Sequence, residues 1–340
     1  MRALRFHGVR DLRIDELPVR DPLPGEVRIR PQAAGICGTD IHIFRGEFPS
    51  ASPVVLGHEI AGVVDAVGAG IKGIREGDLV TVQPNTFCRL CSYCRGGREH
   101  LCPDMRAYGV HMDGGFAETV VVSAAAVHHL PQEIDAAIGC FAEPLACCIH
   151  GIDRLAIRSA SSVLVLGAGA IGLMLTRLAR LQGAGFVAVS EPDETRRSAA
   201  LKFGADAVFE PDAPGLMGAS GGNGFDFVID AAGARGTFEQ AVSLAARGAG
   251  ILVFGVAPAN AVASIRPFEI YARELTIVGT FVNPYSQDRA VQLLPHMGLE
   301  SLVVTQLHLD DFRQAFGDQP APSGVFKYQI LPQATRQKEA

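Results

Sequence analysis

Four apolar residues, Val163-Leu164-Val165-Leu166, run into Gly167-x-Gly169-x2-Gly172, and an apolar pattern of helical period continues from there through Leu181. A buried strand that turns through three such glycines into a helix points to a parallel sheet. The glycines permit a tight turn and let a pyrophosphate approach the helix N-terminus, where unpaired N–H groups favour an anion. Gly167, Gly169, Ala170, Ile171 and Gly172 are the residues expected to face it. The stretch Ser159 to Thr176 is uncharged over about the length at which a membrane span is considered, but its glycines break it into strand, turn and helix start. Nineteen residues after Gly172, at the end of the next strand, stands Glu191. Its carboxylate is placed to accept hydrogen bonds from a ribose 2′-hydroxyl and to repel a 2′-phosphate, which favours NAD over NADP. Arg196 and Arg197 follow closely, and three readings of them stay open: they cap the ribose edge, face solvent, or tolerate a phosphate.

Strand and helix keep alternating. Strands are expected at Phe225 to Ile229, Gly250 to Phe254 and Leu275 to Val278, with helices around Arg196 to Phe203 and Thr237 to Ala246, which gives a doubly wound parallel sheet. From Ala3 to Val127 the pattern is different: short β-rich runs punctuated by Gly and Pro, as in a partly open β-barrel. Beyond Asn283-Pro284 come one helical stretch, Ser286 to Leu294, and one strand, Phe326 to Leu331, too little for a domain of their own. They are expected to return to the barrel. The division is therefore 1–148 with 284–340, and 149–283, and a polar end from Gln333 to Ala340 is expected to fray. At 340 residues and 48% hydrophobic content the chain can bury two cores. A net charge of −6 without long basic runs argues against nucleic acid or an anionic membrane as the principal ligand. Met1 to Leu12 has no apolar core followed by a small-residue cleavage site, so a cytoplasmic location is expected.

In such a compartment eight cysteines read as metal ligands and free thiols rather than disulfides. Cys88-x2-Cys91-x2-Cys94-x7-Cys102 places four soft ligands within fifteen positions, in a polar, Arg-rich loop that is a poor place to bury thiols. Thiolates at this spacing suit a closed tetrahedral zinc site, structural because no position is left for substrate. A second, open site is suggested by Cys37 in Gly35-Ile36-Cys37-Gly38-Thr39-Asp40-Ile41-His42 together with His58 and Glu59. Cys140, Cys147 and Cys148 have no ligand spacing and are read as core thiols.

Gly57-His58-Glu59-x2-Gly62-x5-Gly68, preceded by Cys37-Gly38-Thr39-Asp40, resembles the zinc-containing medium-chain dehydrogenase/reductase family. The resemblance covers nearly the whole chain and implies a GroES-like catalytic barrel plus a Rossmann cofactor domain, with two zinc ions and NAD. Phe141-Ala142-Glu143-Pro144-Leu145 narrows it. In members resembling sorbitol and threonine dehydrogenases a Glu before Pro-Leu stands at or near the catalytic zinc, so Glu143 joins Cys37, His58 and Glu59 in the implied ligand set. By the same resemblance Thr39 receives the substrate hydroxyl proton and His42 passes it onward through the nicotinamide ribose. Ala232, Gly255, Val256 and Phe281 line the cofactor groove, Lys327 reaches the pyrophosphate, and Phe116 walls the substrate pocket. The implied reaction is hydride transfer from a secondary alcohol to NAD, with the metal as Lewis acid.

Departures concern the substrate. Ile43, Val282 and Asn283 stand where sorbitol dehydrogenases carry an aromatic and an Arg-Tyr pair, and the connection from His42 to Gly57 is short, as in enzymes resembling arabinitol dehydrogenases. A polyol or sugar alcohol is the expected substrate, with an amino-alcohol such as threonine or an aminocyclitol as the alternative. A metal- and nucleotide-binding protein without turnover is the reading from another class. The apolar strand Leu275 to Val278 ends the sheet, and such an edge invites pairing with a second copy, as a homodimer or homotetramer.

Overall fold

The computed structural model describes residues 1–317 and 322–333. The chain forms two compact units, Met1–Pro144 with Gln287–Ala340, and Leu145–Ser286. These boundaries lie within four residues of those read from the sequence.

The first unit is the barrel. Its larger sheet runs, in spatial order, Val127–His129, Leu79–Val82, Glu59–Val67, Glu26–Gly35, Lys327–Ile330, Val304–Leu307, with Val120–Ser123 also pairing to Glu26–Gly35. A second sheet joins Asp11–Glu16, Arg2–Gly8 and Val54–Val55. Val27 and Ile29 alternate inward and meet Ile60, Val64, Val80, Val82, Val120 and Val122, the period-2 burial that a closed sheet demands. The chain does return at its end: Lys327–Ile330 pairs antiparallel with Glu26–Gly35, through Gln329 opposite Gly35 and Ile330 opposite Ala34. Residues 334–340 of the polar end lie outside the described residues, while Gln333 donates from Nε2 to the Glu118 carbonyl at 2.6 Å and is not frayed.

The second unit is a six-stranded parallel sheet in the order Ala207–Phe209, Phe186–Ser190, Ser162–Leu166, Phe225–Asp230, Ala245–Val253, Thr276–Gly279. Numbered along the chain this is 3-2-1-4-5-6, the doubly wound order in which a dinucleotide binds beyond the strand ends where the order reverses. Val163, Leu164, Val165 and Leu166 are buried, as a central strand covered on both faces must be. The three-residue strand Ala207–Phe209 carries too little pattern to be read from sequence. The uncharged stretch around Gly167 is a strand and the start of helix Ala170–Leu181. Among the described residues one helical run, Ala136–Leu155, has the length and hydropathy of a span, and 72% of its apolar window is buried inside the protein.

Candidate active site

In the second unit the three glycines do different work. Gly167 takes φ +99°, outside the reach of most side chains. A Cβ on Gly172 would collide with the Gly167 carbonyl oxygen, whereas one on Gly169 would meet nothing within 4 Å. The turn is thus closed on its inner side and open on the side from which a phosphate approaches. Helix Ala170–Leu181 has no side-chain cap, so the first-turn N–H groups of Ala170, Ile171 and Gly172 are suited to an anionic ligand. Glu191 is buried beside the turn, its Oε2 accepting from Ala168 N–H at 2.7 Å and its Oε1 from Asp193 N–H at 3.0 Å. Arg197, half-buried, is tied down: Nη1 donates to the carbonyls of Glu191 and Pro192, at 2.8 and 2.7 Å, and Nη2 to Glu210. Arg196 donates its backbone N–H to the Asp193 carboxylate. At the neighbouring strand ends Ala232 packs against Gly167, and Gly255 lies backbone to backbone against Gly233, while Val256 and Phe281 are exposed.

Sequence reasoning missed Asp230. Its buried carboxylate accepts from the N–H groups of Ala232 and Gly233, at 3.2 and 3.1 Å, and from Thr237 Oγ1 at 2.9 Å. Burial raises its pKa despite those donors.

In the first unit, ligand atoms of Cys37, His58 and Glu59 lie within 4.8 Å of one another. Cys37 precedes helix Gly38–Arg45, His58 immediately precedes the strand Glu59–Val67, and Glu59 opens it. Asp40, also unforeseen, fixes this corner: fully buried, it accepts from Cys37 N–H at 2.8 Å and stands 3.6 Å from His58 Nδ1. Burial works against a charged imidazole at His58, but the negative charges of Asp40 and Cys37 outweigh it and hold its pKa well above the ordinary value. Glu59 Oε2 is buried without a hydrogen-bond partner. A corner of concentrated negative charge with an orphaned carboxylate oxygen fits a divalent cation.

Two expectations change here, those for Lys327 and Phe116. Glu143, buried in the first turn of helix Ala142–Leu155, is not a member of the 4.8 Å group. Lys327 does not extend freely toward a pyrophosphate: its Nζ lies 2.6 Å from Glu59 Oε1 in a buried ion pair. Phe116 is fully buried, edge-on to Phe316 at 6.4 Å between centroids, and presents no surface to a substrate. Ile43 and Asn283 are likewise fully buried, so neither the aromatic nor the tyrosine of a sorbitol dehydrogenase has an exposed counterpart there, and Val282, at the place of the arginine, is half-buried. Cys140 and Cys148 are core thiols, while Cys147 is half-buried.

Thr39 Oγ1 lies 3.7 Å from Cys37 Sγ, and His42 follows one turn later on the same helix with Nδ1 at 2.6 Å from Glu47 Oε2. Because a carboxylate only accepts, His42 Nδ1 carries the proton and Nε2 is the basic nitrogen.

The four sulfurs of Cys88, Cys91, Cys94 and Cys102 form the second group within 4.8 Å. Cys88 and Cys94 are 3.9 Å apart, close to the ~3.8 Å edge of a tetrahedron with zinc–sulfur bonds of ~2.3 Å. Backbone N–H donors from Leu90 and Cys91 lower Cys88 to about 7, while desolvation and the neighbouring thiols push Cys94 up to about 12. Four thiolates this close need a cation to ionise together, and the loop fits zinc.

Two family models match: an alcohol dehydrogenase GroES-like domain over residues 23–132 and a zinc-binding dehydrogenase domain over residues 170–305. D-altritol 5-dehydrogenase of Agrobacterium fabrum is 35% identical over 97% of this chain and 99% of its own. The chain belongs to the zinc-dependent medium-chain dehydrogenase family. This dehydrogenase is also 36% identical to L-threonine 3-dehydrogenase of Pyrococcus horikoshii, over 78% of each chain. A zinc-binding dehydrogenase of Sinorhizobium meliloti, solved with NADP bound, superposes with a TM-score of 0.93 at 36% identity over 97% of this chain and 99% of that one.

Proposed function

We propose that this dehydrogenase transfers a hydride from a secondary alcohol of a polyol or sugar alcohol to NAD. The observation that supports the reading is that Thr39 beside Cys37 and His42 beside Glu47 stand one turn apart on the helix that starts at the metal-ligand corner. Zinc held by Cys37, His58 and Glu59 would supply Lewis acidity, and the nicotinamide would accept the hydride. Thr39 Oγ1 accepts the proton of the substrate hydroxyl, and His42, polarised by Glu47, carries protons to solvent through Nε2. Asp40 holds His58 in the orientation its ligand role needs.

The intact set of Cys37, Thr39, His42, His58 and Glu59 favours an enzyme over a non-catalytic relative. Similarity to threonine dehydrogenase keeps an amino-alcohol as the second substrate class. Support for NAD comes from the Glu191 carboxylate, buried beside the glycine turn where a ribose would lie, and from Arg197, which is committed to carbonyls and Glu210. Two zinc ions per chain, one in each cluster, complete the cofactor set. The protein works in the cytoplasm as a homodimer or homotetramer, joined along the edge strand Thr276–Gly279, beside which Phe268 and Tyr271 are exposed.

Spectrophotometric reduction of NAD⁺ and NADP⁺ over polyols, amino-alcohols and simple alcohols tests this reading. Turnover should be highest with a polyol and NAD⁺. Preference for threonine would move the substrate to the amino-alcohol class, and silence over the whole panel would contradict enzymatic function.

A further inference from the structure

We propose that the segment from Arg106 to Phe116 is a positioning strap through which the four-cysteine lobe holds His58 in place. The inference rests on the two metal sites proposed above. The strap leaves the lobe at once: Met105 N–H donates to the Cys102 carbonyl at 3.1 Å, and Arg106–Ala107 then pairs antiparallel with Asn85–Thr86 on the entering side of the lobe. Thr86 Oγ1 donates to the Arg106 carbonyl at 3.1 Å, and Tyr108 N–H to that of Pro84 at 3.0 Å. Both ends of the metal loop are thereby tied to the root of the strap.

The far end runs along the three residues before His58. Gly114 N–H donates to the Val55 carbonyl at 2.9 Å, Gly115 N–H to Gly57 at 2.8 Å and Phe116 N–H to Leu56 at 3.0 Å. In return Val55 N–H donates to Asp113 Oδ1 at 2.9 Å. The two backbones approach more closely than side chains allow. A Cβ on Gly109 would lie 2.5 Å from the Gly57 carbonyl and 2.9 Å from His58 N, and one on Gly114 would collide with Gly57 O. Gly57 has φ +92°, and the Phe116 ring fills the space its Cβ would take. His58 follows Gly57, which the strap grips on this side, while the Gly57 N–H donates to Asp40 Oδ1 at 3.4 Å on the other. Filling of the lobe by metal folds its loop, and a continuous ladder of hydrogen bonds and packed glycines carries that order to the His58 backbone. Gly109, Gly114 and Asp113 are positioning residues that act through the backbone ahead of His58.

The full-length protein with Cys91→Ser, Gly114→Ala, Asp113→Ala and Asp113→Asn tests this by two readouts. One is hydrogen exchange of the peptide over residues 55–60. The other is the rate at which zinc leaves each site for a chelator. Cys91→Ser should empty the lobe and raise exchange over 55–60 about tenfold or more. Gly114→Ala should speed release from the His58 site about tenfold while the lobe keeps its metal. Asp113→Ala, an exposed substitution that the fold survives, should act in the same direction, and Asp113→Asn should restore wild-type behaviour because its Oδ1 still accepts from Val55. Combining Cys91→Ser with Asp113→Ala should give less than the sum of the separate effects. An emptied lobe with wild-type exchange over 55–60, or Asp113→Ala indistinguishable from wild type, overturns the proposal. The exchange readout stands whatever metal the His58 site holds, so the zinc count of the wild type tests the two-site reading separately.

Discussion

Lys327 Nζ lies 2.6 Å from Glu59 Oε1, with Glu59 buried and the Lys327 side chain 10% exposed against Gly35, where any Cβ would collide with Glu59 Oε2. Burial opposes the ammonium, but Glu59 and Cys37 outweigh it and keep Lys327 charged, its pKa raised above the ordinary lysine value. Replacing one partner of a buried pair leaves the other charge uncompensated, at a cost of about 3–5 kcal/mol. Lys327→Met should therefore destabilise zinc-free protein by about that amount and zinc-loaded protein by less, since a cation beside Glu59 offsets the missing ammonium. Urea unfolding with and without zinc measures the difference. Equal losses in both forms would separate Lys327 from the metal site.

Asp230 gives a pH signature. Its pKa is raised in the folded state, so between the ordinary carboxylate value and the raised one the native protein binds more protons than the unfolded chain. Stability attributable to this group falls as pH rises through that window. Asp230→Asn has no such penalty, so its stability relative to wild type should improve between about pH 4 and about pH 8. Denaturant melts at both pH values check the sign. A constant difference would show that the three donors to Asp230 fully offset its burial.

Glu191→Ala should shift cofactor choice. Removal of a buried carboxylate beside the proposed ribose position should raise the NADP/NAD ratio of kcat/KM about tenfold or more, equivalent to about 1.4 kcal/mol. Because Arg197 remains tied to two carbonyls and Glu210, Arg197→Ala should lower stability without creating NADP preference. A wild type that already prefers NADP would contradict the assignment.

Phe268→Asp and Tyr271→Asp place charge on an exposed apolar surface beside the last strand of the six-stranded sheet. If copies join there, light scattering should show these variants as monomers at concentrations where the wild type is larger. A monomeric wild type would refute the proposed assembly.

What the sequence revealed is what close neighbours along the chain determine. Gly167, Gly169 and Gly172 meet their steric requirements within one turn, and four cysteines within fifteen positions have few arrangements open to them. The motif around Asp40 announces no role for it, because its partner His58 lies in a separate segment just before the strand Glu59–Val67. The Lys327–Glu59 pair spans 268 positions, and nothing local to either residue announces it. Phe116 follows two glycines, a pattern shared by pocket walls and core residues, and only the three-dimensional packing under Gly57 decides between them. Glu143 sits in a family motif whose position along the chain is clear, but which oxygen reaches which corner depends on the packing of a helix against two other elements.

The most direct test of the central claim is zinc content and initial rate measured side by side for wild type and His58→Ala. The account predicts two zinc ions and NAD⁺-dependent polyol oxidation in the wild type. In His58→Ala it predicts one zinc ion, retained by Cys88, Cys91, Cys94 and Cys102, an intact fold, and a rate lower by about a thousandfold or more, the scale of several kcal/mol of Lewis-acid stabilisation. A His58→Ala protein that keeps both metals, or turns over polyols near the wild-type rate, would contradict it.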